Sequence, residues 1–272
     1  MKPNSGQMSL LGLQSFFYKF SRRSLQIKSA RHRNDLMRYR SLATDYDGTI
    51  ASHGTVADST ITVLKRVAES GRKLVLVTGR HLPDLKNVFF QLDLFDRAVL
   101  ENGALLYRPA SNTEQLLCEP PPRAFLDALQ ERGIPFTPGR AVVACWEPHQ
   151  DEVMQTIRDL GLDLQVTFNK GAVMVLPTGI DKATGLKVAL EELNISPNET
   201  VSIGDAENDY SLLRFCGVGV AVANALPSLK SEADLVTENR NGAGVVELCD
   251  ALLNDDLASL EVLRSRTPQP RS

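Results

Sequence analysis

The chain has 272 residues, 43% of them apolar and 23% charged, with a formal net charge of -3. This composition supports one large or two smaller globular domains. No apolar run approaches the roughly 20 residues that cross a bilayer, which argues against an integral membrane protein. Cys118, Cys145, Cys216 and Cys249 are scattered without a CxxC pair, so reduced thiols in a cytoplasm-like compartment are expected rather than a disulfide framework or a zinc site.

Residues 1–40 hold nine Lys or Arg and one acid, a charge of +8, which leaves -11 for the remainder by subtraction from -3. This Ser- and Arg-containing start reads as an extension outside the folded domain. An organelle transit peptide has the same look, and Met37 as the true start is a third reading. A basic arm for nucleic acid would bring a Gly-rich or aromatic repeat, which the segment lacks, so no nucleic-acid partner is expected.

From Ser41 onward, short apolar runs alternate with helix-like stretches. "YRSLATDYDGT" is a strand-like run ending on Asp45, Asp47, Gly48 and Thr49. In extended chain, Asp45 and Asp47 share a face, and two like charges there repel unless something positive sits between them. "DSTITVLKRVAESG" places Ile61, Leu64, Val67 and Ala68 on one helical stripe. "KLVLVTGR" is a fully apolar strand that ends on Thr78, Gly79 and Arg80, and "RAVLENGA" a strand that ends on Asn102 and Gly103. Later come "KATGLKVALEEL" as helix, "TVSIGD" as strand, "NDYSLLRFCG" as helix and "VGVAV" as strand. The alternation predicts an α/β domain with a parallel sheet and crossover helices.

Between Tyr107 and Leu176 the pattern changes to a turn-rich lead-in followed by helix, strand, helix and two strands, a compact α/β insert. The expected division is an extension at 1–40, a core at 41–106 and 177–255, an insert at 107–176 and a tail at 256–272. In the insert, Trp146, Glu147, His149, Asn169 and Lys170 flank strands. Contact with a ligand and an ordinary amphipathic sheet edge both account for them, the sheet edge more readily.

Open parallel sheets collect function outside the carboxyl ends of their strands. There the sequence puts Asp45, Asp47, Thr49, Thr78, Gly79, Arg80, Asn102 and Gly103, then "GDAENDY" with Asp205, Asn208 and Asp209, and Lys182 at a helix start. Singly, Thr78 and Gly79 fit a plain turn, Lys182 a solvated lysine and Asp209 a helix N-terminal acid. Together they suit Mg²⁺ and a phosphate. Carboxylates converging from several loops need a hard cation, with Asp45 and Asp205 as ligands. A carboxylate can attack phosphorus, Asp47 can act as acid and base, and Lys182, Thr78 and backbone N–H groups near Gly48 and Gly79 can hold phosphoryl oxygens.

"DYDGT" resembles the DxDGT signature of the haloacid dehalogenase superfamily of phosphohydrolases, with "VTGR", Lys182 and "GDAEND" similar to its second, third and fourth motifs. The tail "VAVANALPSLKSEADLVTENRNGAGV" resembles the Cof-like branch, which implies that Asn224 lies near the phosphate. The resemblance covers about residues 40–250. It implies a Rossmann-like three-layer core, Mg²⁺ as cofactor, Asp45 as nucleophile and metal ligand, and Asp47 as a ligand through its backbone carbonyl. Asp205 is then a further ligand, and Asp209 a ligand or a partner of one. Thirty residues separate Asp47 from Thr78 and 103 separate Thr78 from Lys182, so the insert sits where the family's class II cap domain does.

The expected function is a Mg²⁺-dependent phosphatase acting on a small phosphorylated metabolite, of sugar phosphate or phosphoglycolate type, in the cytoplasm, or in an organelle if residues 1–36 are a transit peptide. A phosphotransferase or phosphomutase would share every core residue. A non-catalytic phospholigand sensor would carry degraded motifs, and these are intact.

Overall fold

Strands buried on both faces need continuous apolar runs, and the runs in this chain form them. In the computed structural model, which describes residues 37–259, six strands pair in parallel. Their order is Leu235–Val236, Val218–Ala221, Thr200–Gly204, Ser41–Thr44, Lys73–Val77 and Arg97–Leu100. All of Ser41–Thr44 is buried, as befits the centre of the sheet. The readings made for residues 1–36 and for residues beyond 259 lie outside the described residues.

The chain steps outward in two directions from the centre, through Lys73–Val77 to Arg97–Leu100 and through Val218–Ala221 to Leu235–Val236. Right-handed crossovers in opposed directions put their helices on opposite faces of the sheet. Helix Asp58–Glu69 thus covers one face, burying Ile61, Leu64 and Val67, with Asn241–Asp255 against it. Helix Tyr210–Phe215 covers the other, beside Lys182–Leu193. The result is the expected three-layer α/β architecture. The direction of travel reverses between Ser41–Thr44 and Thr200–Gly204, and the crevice beyond the carboxyl ends of such a pair is where these sheets bind ligands.

The sheet is not purely parallel. Leu105–Arg108 and Thr113–Leu116 add two antiparallel strands at one edge. A tight turn at Glu101–Gly103 reverses the chain without room for a crossover helix. The insert expected from residue 107 therefore starts inside a strand of the large sheet, and the chain leaves that sheet only after Leu116.

Beyond it, Leu164–Asn169, Ala172–Pro177, Val143–Trp146 and Thr137–Pro138 form a separate antiparallel sheet. Helices Arg123–Glu131 and Gln150–Asp159 bury Phe125, Leu129, Val153 and Ile157 against Val143, Cys145, Val173 and Val175 of one face. Met174 and Leu176, on the other face, pack with Ala104 of the large unit and with Ala141 and Val142. No helix among the described residues is long and apolar enough to cross a membrane.

Candidate active site

Asp45 and Asp205 each follow one of the two central strands, and the register Thr44↔Ile203 makes them neighbours. The Asp45 N–H donates to the Ile203 carbonyl at 3.0 Å, which holds the strand ends together. Asp209 lies one turn beyond Asp205. Its Oδ2 accepts the N–H groups of Asp205 at 2.8 Å and Ala206 at 3.0 Å, so the "GDAEND" loop is wrapped around this carboxylate. Lys182 opens a helix capped by Asp181 and Thr184, whose side chains and backbone N–H groups bond reciprocally. Its Nζ lies 2.6 Å from both Asp45 Oδ1 and Asp209 Oδ1, with the side chain 1% exposed.

Asp45, Asp205 and Asp209 each place a carboxylate oxygen within 4.8 Å of the other two. Burial pushes the Asp45 carboxyl up to about 8, against the pull of Lys182 and with Asp209 and Asp205 adding to the rise. Burial likewise raises Asp205, with Lys170 opposing. Burial disfavours the Lys182 charge, but the Asp209 and Asp45 carboxylates outweigh it and hold the ammonium above the usual lysine range. Negative charge is therefore in surplus here, and an oxygen-lined cluster of this sort fits a hard divalent cation. Asn208 Oδ1, buried without a hydrogen-bond partner, is a further polar atom awaiting one.

Asp47 departs from the expected geometry. Its two oxygens are held by Arg80, with Nε to Oδ2 at 2.6 Å and Nη2 to Oδ1 at 2.7 Å, and the guanidinium lies 5.2 Å from the Tyr46 ring centroid. The carboxylate thus turns to Arg80 and is not one of the clustered three. The strand ends at Thr44, so the alternation that put Asp45 and Asp47 on one face no longer applies.

The remaining expected residues gather around the same crevice. Gly48 adopts φ 83, and a side chain there would overlap the Asp205 carboxylate, so glycine is required. Its N–H donates to the Ala51 carbonyl at 2.9 Å, which commits it to the turn rather than to a ligand. The Thr49 hydroxyl donates to Asp205 Oδ1 at 3.4 Å. Asn224 Nδ2 donates to the Gly48 carbonyl at 2.8 Å, and its Oδ1 accepts the Asn241 N–H at 2.6 Å, so it pins the first loop to the last helix. Thr78 is buried, and its hydroxyl oxygen accepts the Arg80 N–H at 3.2 Å. Asn102, at φ 52, lies against Gly79, donates to Met174 Sδ at 2.8 Å and accepts from Asn208 Nδ2 at 2.9 Å.

Two residues outside the expected site join the two units. Glu101 is buried at φ 52, and its carboxylate accepts the N–H groups of Arg140 at 2.9 Å, Ala141 at 2.8 Å and Val142 at 3.0 Å. An acid directly after an apolar strand was the one signal for it. Lys170, for which the sequence favours a sheet edge over contact with a ligand, reaches the Asp205 carboxylate.

The family model for haloacid dehalogenase-like hydrolases matches residues 42–136 and 142–248. The chain belongs to that family. This haloacid dehalogenase-like hydrolase is similar to phosphoglycolate phosphatase 2 of Saccharolobus solfataricus, at 31% identity over 78% of this chain and 92% of the relative. It is also similar to the phosphoglycolate phosphatase of Metallosphaera sedula, at 30% identity over 78% of this chain and 98% of that one. A solved haloacid dehalogenase-like hydrolase from Bacteroides thetaiotaomicron superposes with a TM-score of 0.67 at 22% identity, covering 79% of this chain and 99% of the other. At that identity, the fold is what the two share.

Proposed function

We propose that this hydrolase is a Mg²⁺-dependent phosphatase that acts on a small phosphorylated metabolite, of phosphoglycolate or sugar phosphate type, through an aspartyl phosphate on Asp45. The observation that carries the reading is the buried Asp45 carboxylate, set 2.6 Å from Lys182 beside Asp205 and Asp209 at the reversal point of the sheet. The relatives named phosphoglycolate phosphatase support the substrate class. The unpaired Cys118, Cys145, Cys216 and Cys249 suit a reducing compartment such as the cytoplasm.

Asp45 and Asp205 would hold the cation beside Asp209, with Asp47 lending its backbone carbonyl. Bound there, Mg²⁺ supplies the positive charge that lets a phosphate approach a carboxylate. An Asp45 oxygen attacks phosphorus, the bond from phosphorus to the leaving oxygen breaks, and Asp47 protonates that oxygen. Water then attacks the phosphorus, Asp47 takes its proton, and phosphate leaves with the Asp45 carboxylate restored. Lys182 and the Thr78 hydroxyl stabilise the charge that builds on the phosphoryl oxygens.

The Arg80 pair keeps both Asp47 oxygens as acceptors, which suits the second step. Donation in the first step requires the pair to open, and an incoming phosphate is a competing anion for Arg80. The test is phosphate release from a panel of phosphorylated metabolites with and without Mg²⁺. Release that depends on Mg²⁺ and disappears in Asp45→Asn is expected, and release indifferent to both would refute the reading.

A further inference from the structure

Lys170 stands at the tip of the hairpin formed by Leu164–Asn169 and Ala172–Pro177. Lys170 at φ 48 and Gly171 at φ 90 are the paired left-handed residues of a two-residue hairpin turn, which fixes where the lysine side chain begins. Its N–H faces Glu207 Oε2 at 3.4 Å. Its Nζ reaches the Asp205 carboxylate and would lie 2.7 Å from a Cβ added to Gly48. The lysine side chain is 45% exposed and the Asp205 side chain 0%. A cation from the insert thus enters from the solvent side and ends on the floor of the core site.

Asp205 is also one of the three carboxylates that fit a divalent cation. Its Oδ1 takes the Thr49 hydroxyl, and its Oδ2 takes Lys170, with Asn224 Nδ2 at 3.5 Å. A divalent cation held by this carboxylate would compete with the ammonium for it and would leave Lys170 charged on the insert side of the crevice. On the phosphatase reading, the phosphoryl end of a substrate would lie with Asp45 and Lys182 on the core side, with the leaving group toward the insert.

We propose that Lys170 is a specificity-determining residue: its ammonium, which meets Asp205 and which a divalent cation on that carboxylate would displace, pairs with an anionic group on the leaving group of the substrate. The proposal rests on the phosphatase reading above. It favours phosphomonoesters whose alcohol carries a carboxylate over neutral ones of the same size.

The experiment compares wild type, Lys170→Gln and Lys170→Arg on phosphoglycolate and on hydroxyethyl phosphate, in which a hydroxymethyl group replaces the carboxylate. In Lys170→Gln the ratio of kcat/KM for the acid to that for the neutral ester should fall about tenfold, through KM, as for loss of a hydrogen bond between charged groups. Lys170→Arg should recover most of it. Calorimetric titration with Mg²⁺ alone gives a readout apart from activity. Lys170→Gln should bind Mg²⁺ about threefold tighter, the scale of a half-exposed ion pair removed as competitor. Trp146, the single tryptophan of the chain, pairs with Ala172 next to the turn, so its emission should follow the same titration.

A wild type that cleaves both esters, with a ratio unchanged in Lys170→Gln, overturns the role of Lys170 and leaves the phosphatase reading standing. Mg²⁺ affinity equal or weaker in that variant overturns the exchange on Asp205. A wild type that cleaves neither ester and no other phosphomonoester removes the phosphatase reading, and the specificity role falls with it.

Discussion

Lys182 Nζ lies 2.6 Å from Asp45 Oδ1, although the two are 137 positions apart in the chain. The same nitrogen lies 2.6 Å from Asp209 Oδ1, so one buried cation ties the first strand end to the fourth-motif loop. Lys182→Met should remove that tie and leave buried carboxylates facing one another. Breaking a buried pair by deleting one partner costs about 3–5 kcal/mol, so the urea midpoint should drop sharply. A midpoint close to that of wild type would show that the cluster relaxes without the lysine.

The raised Asp45 carboxyl gives stability a pH dependence with a definite sign. Its folded value, about 8, lies above the ordinary 3.8, so its contribution is full below 3.8 and is lost as pH rises through about 8. Metal-free protein should therefore weaken between about pH 4 and about pH 8, and Asp45→Asn should flatten this trend. Denaturation curves across that range decide it, and a trend unchanged in the variant would move the titration to another group.

Mg²⁺ binding should show the linked effect. The cation prefers the ionised carboxylate, so its affinity should fall by up to about tenfold per pH unit below about 8. Calorimetry at several pH values measures this. An affinity independent of pH would place the ion away from Asp45.

Glu101→Gln tests the junction between the two units. The carboxylate accepts N–H groups from Arg140, Ala141 and Val142, and the amide offers one acceptor and turns its NH₂ toward donors. A loss of about 1–3 kcal/mol is expected, with faster hydrogen exchange at the amides of those three residues. Unchanged exchange there would mean that the Glu101 carboxylate does not hold the junction and that contacts such as the packing of Met174 and Leu176 do.

Asp45, Lys182 and Asp205 were legible in the sequence because each ends or begins an element with a clear pattern, and the sheet brings such ends together. The edge hairpin was not, because Thr113–Leu116 is exposed at all four positions and carries no apolar run. The direction of Asp47 was hidden because strand alternation stops at Thr44 and the Arg80 contact is set by the turn. Glu101 needs a left-handed backbone that its residue type does not advertise. The reach of Lys170 to Asp205 spans 35 residues and two separate sheets, so no local pattern could show it.

Stopping the reaction with acid during turnover and mapping any phosphoryl group along the chain, in wild type and in Asp47→Asn, tests the covalent role of Asp45 most directly. Wild type should carry an acid-stable phosphoryl group on Asp45, which should accumulate in Asp47→Asn because dephosphorylation lacks its base and be absent from Asp45→Asn. Phosphate release with Asp45 unlabelled in both proteins, or turnover retained by Asp45→Asn, would contradict that role.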